Sequence, residues 1–258
     1  MVQKKKVKAT VVSQKEIAEQ IYDMWLETDL AKEAYPGQFV AVYPKNAATL
    51  LPRPISICEA DKQQNRLRLV YRVAGSGTKE FSGYQAGDSI FILGILGNGF
   101  PLDAAKGKTV FLMGGGIGIP PMLQLAKELD AEKQIVVGYR NRELFLCEDL
   151  KQYGNVYIAT EDGSAGSQGN VMDAIRENKL KADMIMACGP MPMLRAIKKY
   201  AEETGIEAYI SLEERMACGV GACLGCVCKT KEVDHHSHVH NARICTDGPV
   251  FEANEVDI

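Results

Sequence analysis

The sequence is short of three things. It has no excess of one charge: 30 Lys and Arg stand against 33 Asp and Glu, a net charge of −3. That balance gives neither nucleic acid nor an anionic membrane surface an electrostatic footing, so neither is an expected partner. It has no apolar run long enough to span a bilayer, since the longest, Val110 to Ala126, is broken by Gly114-Gly115-Gly116 and Pro120-Pro121. Nor is a secretory leader expected. The opening MVQKKKVKATVV carries lysines without an apolar h-region or a small-residue cleavage site, and it reads as a first strand. A cytoplasmic location is therefore expected. Internal repeats are missing too. The one low-complexity tract is His235-His236-Ser237-His238-Val239-His240, which holds all four histidines. A metal site there is conceivable, and an exposed hairpin tip is the preferred reading.

What is present suits an ordinary globular protein of two domains or one large one: 258 residues, 46% apolar and 24% charged. Eight cysteines are enough for disulfides, but a chain of this size can build a core without them. Their crowding between Cys218 and Cys245 points instead to metal.

Three textures follow one another. Residues 1–101 carry short β-type runs at Val7–Val12, Ile21–Leu26, Phe39–Tyr43, Arg66–Val73 and Ser89–Leu93, punctuated by turn signals such as Pro36-Gly37 and Gly97-Asn98-Gly99. This spacing predicts an antiparallel β-barrel. Residues 102–215 alternate strands (Val110–Met113, Ile135–Tyr139, Val156–Thr160, Met184–Ala187, Ala208–Leu212) with helical stretches including Val171–Glu177 and Met193–Glu203. Such alternation predicts an α/β domain with a parallel sheet. Residues 216–258 are cysteine-rich, have little apolar periodicity, and are expected to bury little core without a metal centre.

Cys218, Cys223 and Cys226 are spaced C-x4-C-x2-C, with Cys245 following after a gap. That is the plant-type 2Fe–2S spacing, and Gly219, Gly221 and Gly225 give the loop the freedom to wrap sulfur. A structural zinc is the rival, although zinc sites usually repeat a pair of close cysteines. Cys228, Cys58 and Cys147 are expected to be packed thiols.

Gly114-Gly115-Gly116-Ile117-Gly118 follows a strand and precedes a helix. Glycines there let a pyrophosphate approach backbone N–H groups, although the full G-x-G-x-x-G pattern is missing and an ordinary turn would look the same. Cys188-Gly189-Pro190 and Thr160-Glu161-Asp162-Gly163 end two further strands on the expected ligand edge. Arg53-Pro54-Ile55-Ser56 could clamp a phosphate, and Gly75-Ser76-Gly77-Thr78 opens a helical stretch. Taken singly, each reads as readily as a turn or an exposed arginine.

The order of these motifs, beginning with Pro36-Gly37-Gln38-Phe39-Val40 and ending with Cys188-Gly189-Pro190-Met191-Pro192-Met193, resembles the ferredoxin–NADP reductase superfamily across almost the whole chain. Ser211 to Cys226, with Cys245, Asp247-Gly248-Pro249-Val250-Phe251 and Gly97-Asn98-Gly99-Phe100, is similar to the family of electron-transfer subunits of NAD-dependent dihydroorotate dehydrogenase B. The resemblance implies an FAD barrel over 1–101, an NAD domain over 102–215 and a small C-terminal 2Fe–2S domain over 216–258. It implies FAD contacts from Arg53, Pro54, Ile55 and Ser56, from Val70, Tyr71 and Arg72, and from Gly77 and Thr78. Gly114, Gly115, Gly116 and Gly118 with Cys188, Gly189 and Pro190 would frame NAD, and Cys218, Cys223, Cys226 and Cys245 would ligate the cluster. No acid–base residue is needed for hydride transfer. The implied partner is an FMN-containing catalytic subunit, in a heterotetramer of two plus two, within pyrimidine biosynthesis. Related subunits serving ferredoxin, sulfite reductase or hydrogenase share these cofactors. A zinc-dependent binding module, which would bind no flavin, is the alternative of another class. NAD rather than NADP follows from the resemblance; Glu161 would resist a 2′-phosphate that Arg140 or Arg142 could accept.

Overall fold

The computed structural model describes residues 4–46, 48–233 and 238–258. Six antiparallel strands close a barrel: β1 (Lys5–Ala18), β2 (Ile21–Glu27), β3 (Phe39–Tyr43), β4 (Arg53–Asp61), β5 (Arg66–Arg72) and β6 (Ser89–Leu96), in the order β1-β2-β5-β4-β3-β6. Strand alternation divides their side chains. On β5, Leu67, Leu69 and Tyr71 fill the barrel, while Val70 joins a second core outside it, with Ile21 of β2 and Cys58 of β4. The barrel therefore has one outer face that is apolar in part, and this face looks onto the second domain.

That domain is a 7-stranded sheet: β7 (Thr109–Gly115), β8 (Glu132–Tyr139), β9 (Asn155–Thr160), β10 (Ser167–Gln168), β11 (Met184–Cys188), β12 (Glu207–Ser211) and, from the far end of the chain, β15 (Val250–Glu252). The order is β10-β9-β8-β7-β11-β12-β15, all parallel except β15. Both faces are covered, which explains the uninterrupted apolar strands. Phe111 and Met113 of β7 pack with α4 (Val171–Glu177) and α5 (Met191–Thr204), and Val110 and Leu112 pack with α2 (Pro120–Glu128). α4 begins with a capping box: Asn170 accepts the Met172 N–H (2.9 Å), and Asp173 accepts the Asn170 N–H (2.8 Å). Two short helices, α1 (Ser76–Phe81) and α3 (Cys147–Lys151), complete the set, and among the described residues no helix is long and apolar enough to cross a membrane.

The third region departs from expectation. After the β13–β14 hairpin (Val227–Lys229, Asn241–Arg243) the chain returns to the sheet as β15, antiparallel to β12. Ile244, Cys245, Phe251 and Val256 are buried in the same core as β7 and α5. Short strands paired over long separations leave no periodicity, so this region buries more than its composition predicts. β4 is also invisible to alternation: Pro54 and the Cys-Glu-Ala-Asp stretch interrupt it, and a bulge lies between Ile57 and Glu59. His235 and His236 lie outside the described residues; His238 and His240 are exposed, and His240 Nδ1 contacts the Lys231 carbonyl at 3.0 Å.

Candidate functional site

The strand order reverses between β7 and β11, and ligands of open α/β sheets bind at the carboxyl ends beside such a point. Gly114 lies in register with Cys188 there. A Cβ on Gly118 would sit 2.4 Å from the Cys188 carbonyl oxygen and 2.6 Å from the Gly189 nitrogen, so only glycine lets the two strand ends approach. Gly115 is similarly covered by Met193 and Pro190. The glycines lead into a short 3-10 turn over Gly116–Gly118 before α2 starts at Pro120.

A cleft of about 880 Å³ opens over this junction. The sheet supplies Gly115, Gly116 and Gly118, then Gly189 and Pro190, with Glu161 at the far end. The barrel supplies the β1–β2 turn, Glu19-Gln20, and Arg72. The Arg72 guanidinium lies 3.5 Å from the Cβ position of Gly116, so strand β5 and the glycine turn face each other across the gap. The Glu19 N–H donates to Glu143 Oε1 (3.1 Å), tying the barrel turn to the rim of the sheet domain.

The barrel motifs gather on the same side. Ser56 shares the outer face of β4 with Cys58. Arg53, at the start of β4, lies against Gly77: a Cβ there would fall 2.6 Å from Arg53 Nε. The Thr78 hydroxyl group is committed locally, accepting the Ala74 (2.9 Å) and Gly75 (3.2 Å) N–H groups, which shapes the turn before α1. Val70 and Tyr71 are buried; Tyr71 points into the barrel, donating to Gln14 Oε1 (2.8 Å), so its backbone rather than its ring is offered outward. Thus Arg53 meets the Gly75–Thr78 turn, and Arg72 alone of these residues lines the cleft.

Two thiols near this centre are chemically quiet. Burial pushes the Cys188 thiol well up, Glu213 adds to the shift, and a Ser211 hydrogen bond opposes it weakly. Cys58 is likewise held neutral by burial. Neither is a nucleophile at neutral pH. Glu213, in the cleft just after β12, lies within the Ser211–Cys226 run but receives no role from the motifs. The rule that ligands bind at strand carboxyl ends would have flagged it, because β12 is the neighbour of β11.

Cys218, Cys223 and Cys226 lie on the loop after β12, and Cys245 follows β14. Cys218 interacts with Cys223, and Cys226 with Cys245. Burial works against a Cys218 thiolate, but N–H groups of Val220, Cys223 and Ala222 and the Cys223 side chain override it and hold its pKa down to about 6. Cys245 is pushed up to about 12 by burial and by Cys226, although the Gly221 N–H points to it. Gly219 (φ +69°) and Gly221 (φ +84°) adopt the left-handed region that makes this wrapping possible. Among the described residues no group of three or more His, Cys, Asp or Glu side chains converges on one point suited to a single metal ion. Four neighbouring thiols, with backbone N–H groups directed at Cys218 and Cys245, suit a cluster held by four thiolates. Cys228, partly buried, is pushed up to about 11 by burial and stays a packed thiol.

Comparison with known proteins agrees with this geometry. Residues 213–257 match the family model for the iron-sulfur cluster binding domain of dihydroorotate dehydrogenase B, and residues 112–199 match the oxidoreductase NAD-binding domain. A solved NADH-dependent reduced ferredoxin-NADP oxidoreductase superposes with a TM-score of 0.86 at 28% identity, over 96% of this chain and 89% of that one. A ferredoxin NADP+ reductase from Neisseria gonorrhoeae with bound FAD and NADP shares the fold at a TM-score of 0.64 and 15% identity, over 81% of this chain and 94% of that one. The dihydroorotate dehydrogenase B (NAD(+)) electron transfer subunit of Listeria monocytogenes is 44% identical, with 96% of this chain and 97% of the relative aligned. The Geobacillus sp. protein of the same name is 44% identical over 98% of both. The chain belongs to the family of dihydroorotate dehydrogenase B electron transfer subunits.

Proposed function

We propose that this chain carries electrons between NAD+ and the FMN of a dihydroorotate dehydrogenase catalytic subunit, through a 2Fe–2S cluster and FAD, in cytoplasmic pyrimidine synthesis. The observation that carries the proposal is that one barrel serves both sides: Arg72 of β5 faces the glycine turn of the cleft, and the thiol loop packs on β6, where a Cβ on Gly219 would lie 3.3 Å from Leu96. A bound flavin supplies the exchange between hydride chemistry and single electrons.

The chain's own residues prepare that exchange. Arg53 and the N–H groups of the Gly75–Thr78 turn would hold the FAD diphosphate. Ser56 and the backbone of Val70, Tyr71 and Arg72 would line its ring along the outer face. Gly114, Gly115, Gly116 and Gly118 would admit the NAD diphosphate to backbone N–H groups, with Cys188, neutral, and Gly189 and Pro190 walling the nicotinamide end. Cys218, Cys223, Cys226 and Cys245 would hold the cluster. These groups fall into an FAD unit over 1–101, an NAD unit over 102–215 and a cluster unit over 216–258. Val220 and Leu224 stand exposed on the thiol loop, Leu224 in the left-handed region at φ +54°. Apolar side chains displayed at that cost beside the cluster suit a docking surface for the catalytic subunit, in an assembly of two plus two.

The test is a visible spectrum of the anaerobically purified chain, alone and with NADH. Flavin and cluster bands that both bleach with NADH, and do not respond to dihydroorotate until the catalytic subunit is added, are the expected result. A colourless, zinc-containing protein would overturn the proposal.

A further inference from the structure

The turn after β6, Gly97-Asn98-Gly99, belongs to none of the sites above, yet it is where the barrel touches the thiol segment most intimately. Its barrel side is fixed first. Gln38 Nε2 donates to the Gly97 carbonyl (2.9 Å), and the Phe100 N–H donates to the Pro36 carbonyl (2.9 Å). Gly97 (φ +74°) lets a second backbone come close: a Cβ there would lie 2.4 Å from Pro249 Cδ and 2.9 Å from the Gly248 oxygen.

Asn98 then uses its backbone and both ends of its side-chain amide on the segment 247–250. Its N–H donates to the Gly248 carbonyl (2.7 Å). Nδ2 donates to the carbonyls of Asp247 (2.8 Å) and Val250 (3.0 Å), and Oδ1 accepts the Val250 N–H (3.1 Å). The segment so held is short and stiff. Asp247 bonds back to the Arg243 N–H (2.8 Å) and guanidinium (2.9 and 3.1 Å), closing a loop around Cys245. Pro249 accepts the Leu212 N–H (2.8 Å), tying the same segment to the end of β12.

The barrel end of this clamp leads to the flavin-facing strand. Ser56 of β4 pairs with Phe39 of β3, and Phe39 pairs with Leu96 of β6, two residues before Asn98. Two strand spacings, about 10 Å in all, separate the Ser56 backbone from the strand that ends in the clamp.

We propose that Asn98 is a positioning residue: it locks the Cys245 arm of the thiol loop to the flavin-bearing barrel and so sets the separation that electrons cross between the two centres. The inference rests on the relay proposed above. It assigns no chemistry to Asn98 and no part in nicotinamide binding, because Asn98 does not line the cleft.

The experiment uses the full chain loaded with FAD and iron–sulfur, as Asn98→Ala and Asn98→Asp. Asn98→Asp keeps the acceptor for Val250 and loses the donor to Asp247 and Val250. Rapid mixing with NADH is followed at flavin and cluster wavelengths, and hydrogen exchange is measured over 243–252. Asn98 is largely exposed, so both variants are expected to fold and retain both centres. The flavin phase should keep the wild-type rate. The cluster phase should slow roughly tenfold or more, the scale on which small displacements act on geometry-dependent steps, and exchange should rise in 247–250 but not in β4 or β5. Equal slowing of both phases, an unchanged cluster phase, or loss of the cluster from both variants would overturn the assignment. A wild-type chain whose cluster never bleaches with NADH would instead bring down the relay itself.

Discussion

At the scale of single residues, the cleft rests on contacts with no room to spare. Gly118 is the sharpest case, since the atoms facing its missing Cβ are the backbone oxygen and carbon of Cys188, which cannot swing aside as a side chain can. Gly118→Ala should cost about 1–3 kcal/mol as overpacking, measured by urea unfolding. NADH reduction of the flavin should be lost while bound flavin remains; unchanged NADH kinetics would contradict this account of the turn. Glu213 supplies a pH dependence. By area it is open to water through the mouth of the cleft, while protein crowds its carboxyl group on the other sides. That crowding raises its pKa above the ordinary 4.5, with Arg72 opposing. A dinucleotide that displaces the water should raise it further. The complex then favours the protonated carboxyl: affinity is full below the free-state pKa and falls as pH rises through the bound-state value. NADH binding measured against pH should therefore weaken upward from the acidic side, and Glu213→Gln should flatten the profile. An identical slope in the variant would refute the linkage. The motifs at Gly114 and Cys188 were legible because they stand in short contiguous runs. Glu213 was not, since its place depends on which strand lies beside β11.

At the scale of elements, local pattern and distant pairing part company. β3 and α4 emerge from the sequence with the bounds they have in the fold, because a short apolar run after a Pro-Gly turn and a capping box are written within a few residues. β15 has three residues and finds its partner about forty positions back, so no window of sequence displays it. It is nevertheless a structural closure. Phe251, 7% exposed, packs into the core shared by β7, β12 and α5. Phe251→Ala should cost about 3–5 kcal/mol, measured by denaturant unfolding, with cluster content falling before flavin content as denaturant is raised. Simultaneous loss of both would mean that β15 supports the whole fold evenly rather than the thiol segment first.

At the scale of the whole molecule, the two large units are joined by a charged lock as well as by the cleft. Arg68 on the barrel meets Asp23 (2.9 Å) and Glu59 (3.5 Å) within it, and Asp149 of α3 (3.1 Å) across the boundary. Glu59 also takes Lys127 of α2 at 2.7 Å. The Asp23 side chain is only 2% exposed, so Arg68→Ala strands a buried carboxylate and should cost about 3–5 kcal/mol. Asp149, 39% exposed, should contribute no more than about 1 kcal/mol when replaced by Ala. Thermal unfolding of both variants checks the contrast, and comparable losses would place the strength of the lock at its surface instead of its interior. Residues 45 and 81 positions apart leave no signature of such a lock in the sequence, although the barrel and the α/β domain it joins are plain from strand spacing and strand–helix alternation.

The return of the chain to β12 as β15 gives the thiol segment the form of a handle, with both ends welded to neighbouring strands of one sheet. A handle differs from a tail in what a cut does to it. A protease nick in the connection between β13 and β14 would leave two polypeptides, each still sewn into the fold by its own ladder, with Cys218, Cys223 and Cys226 on one side of the break and Cys245 on the other. Such a protein would run as one particle under native conditions and as two bands once denatured. Its colour would then report whether backbone continuity, or only the geometry of the two ends, is what the cluster requires.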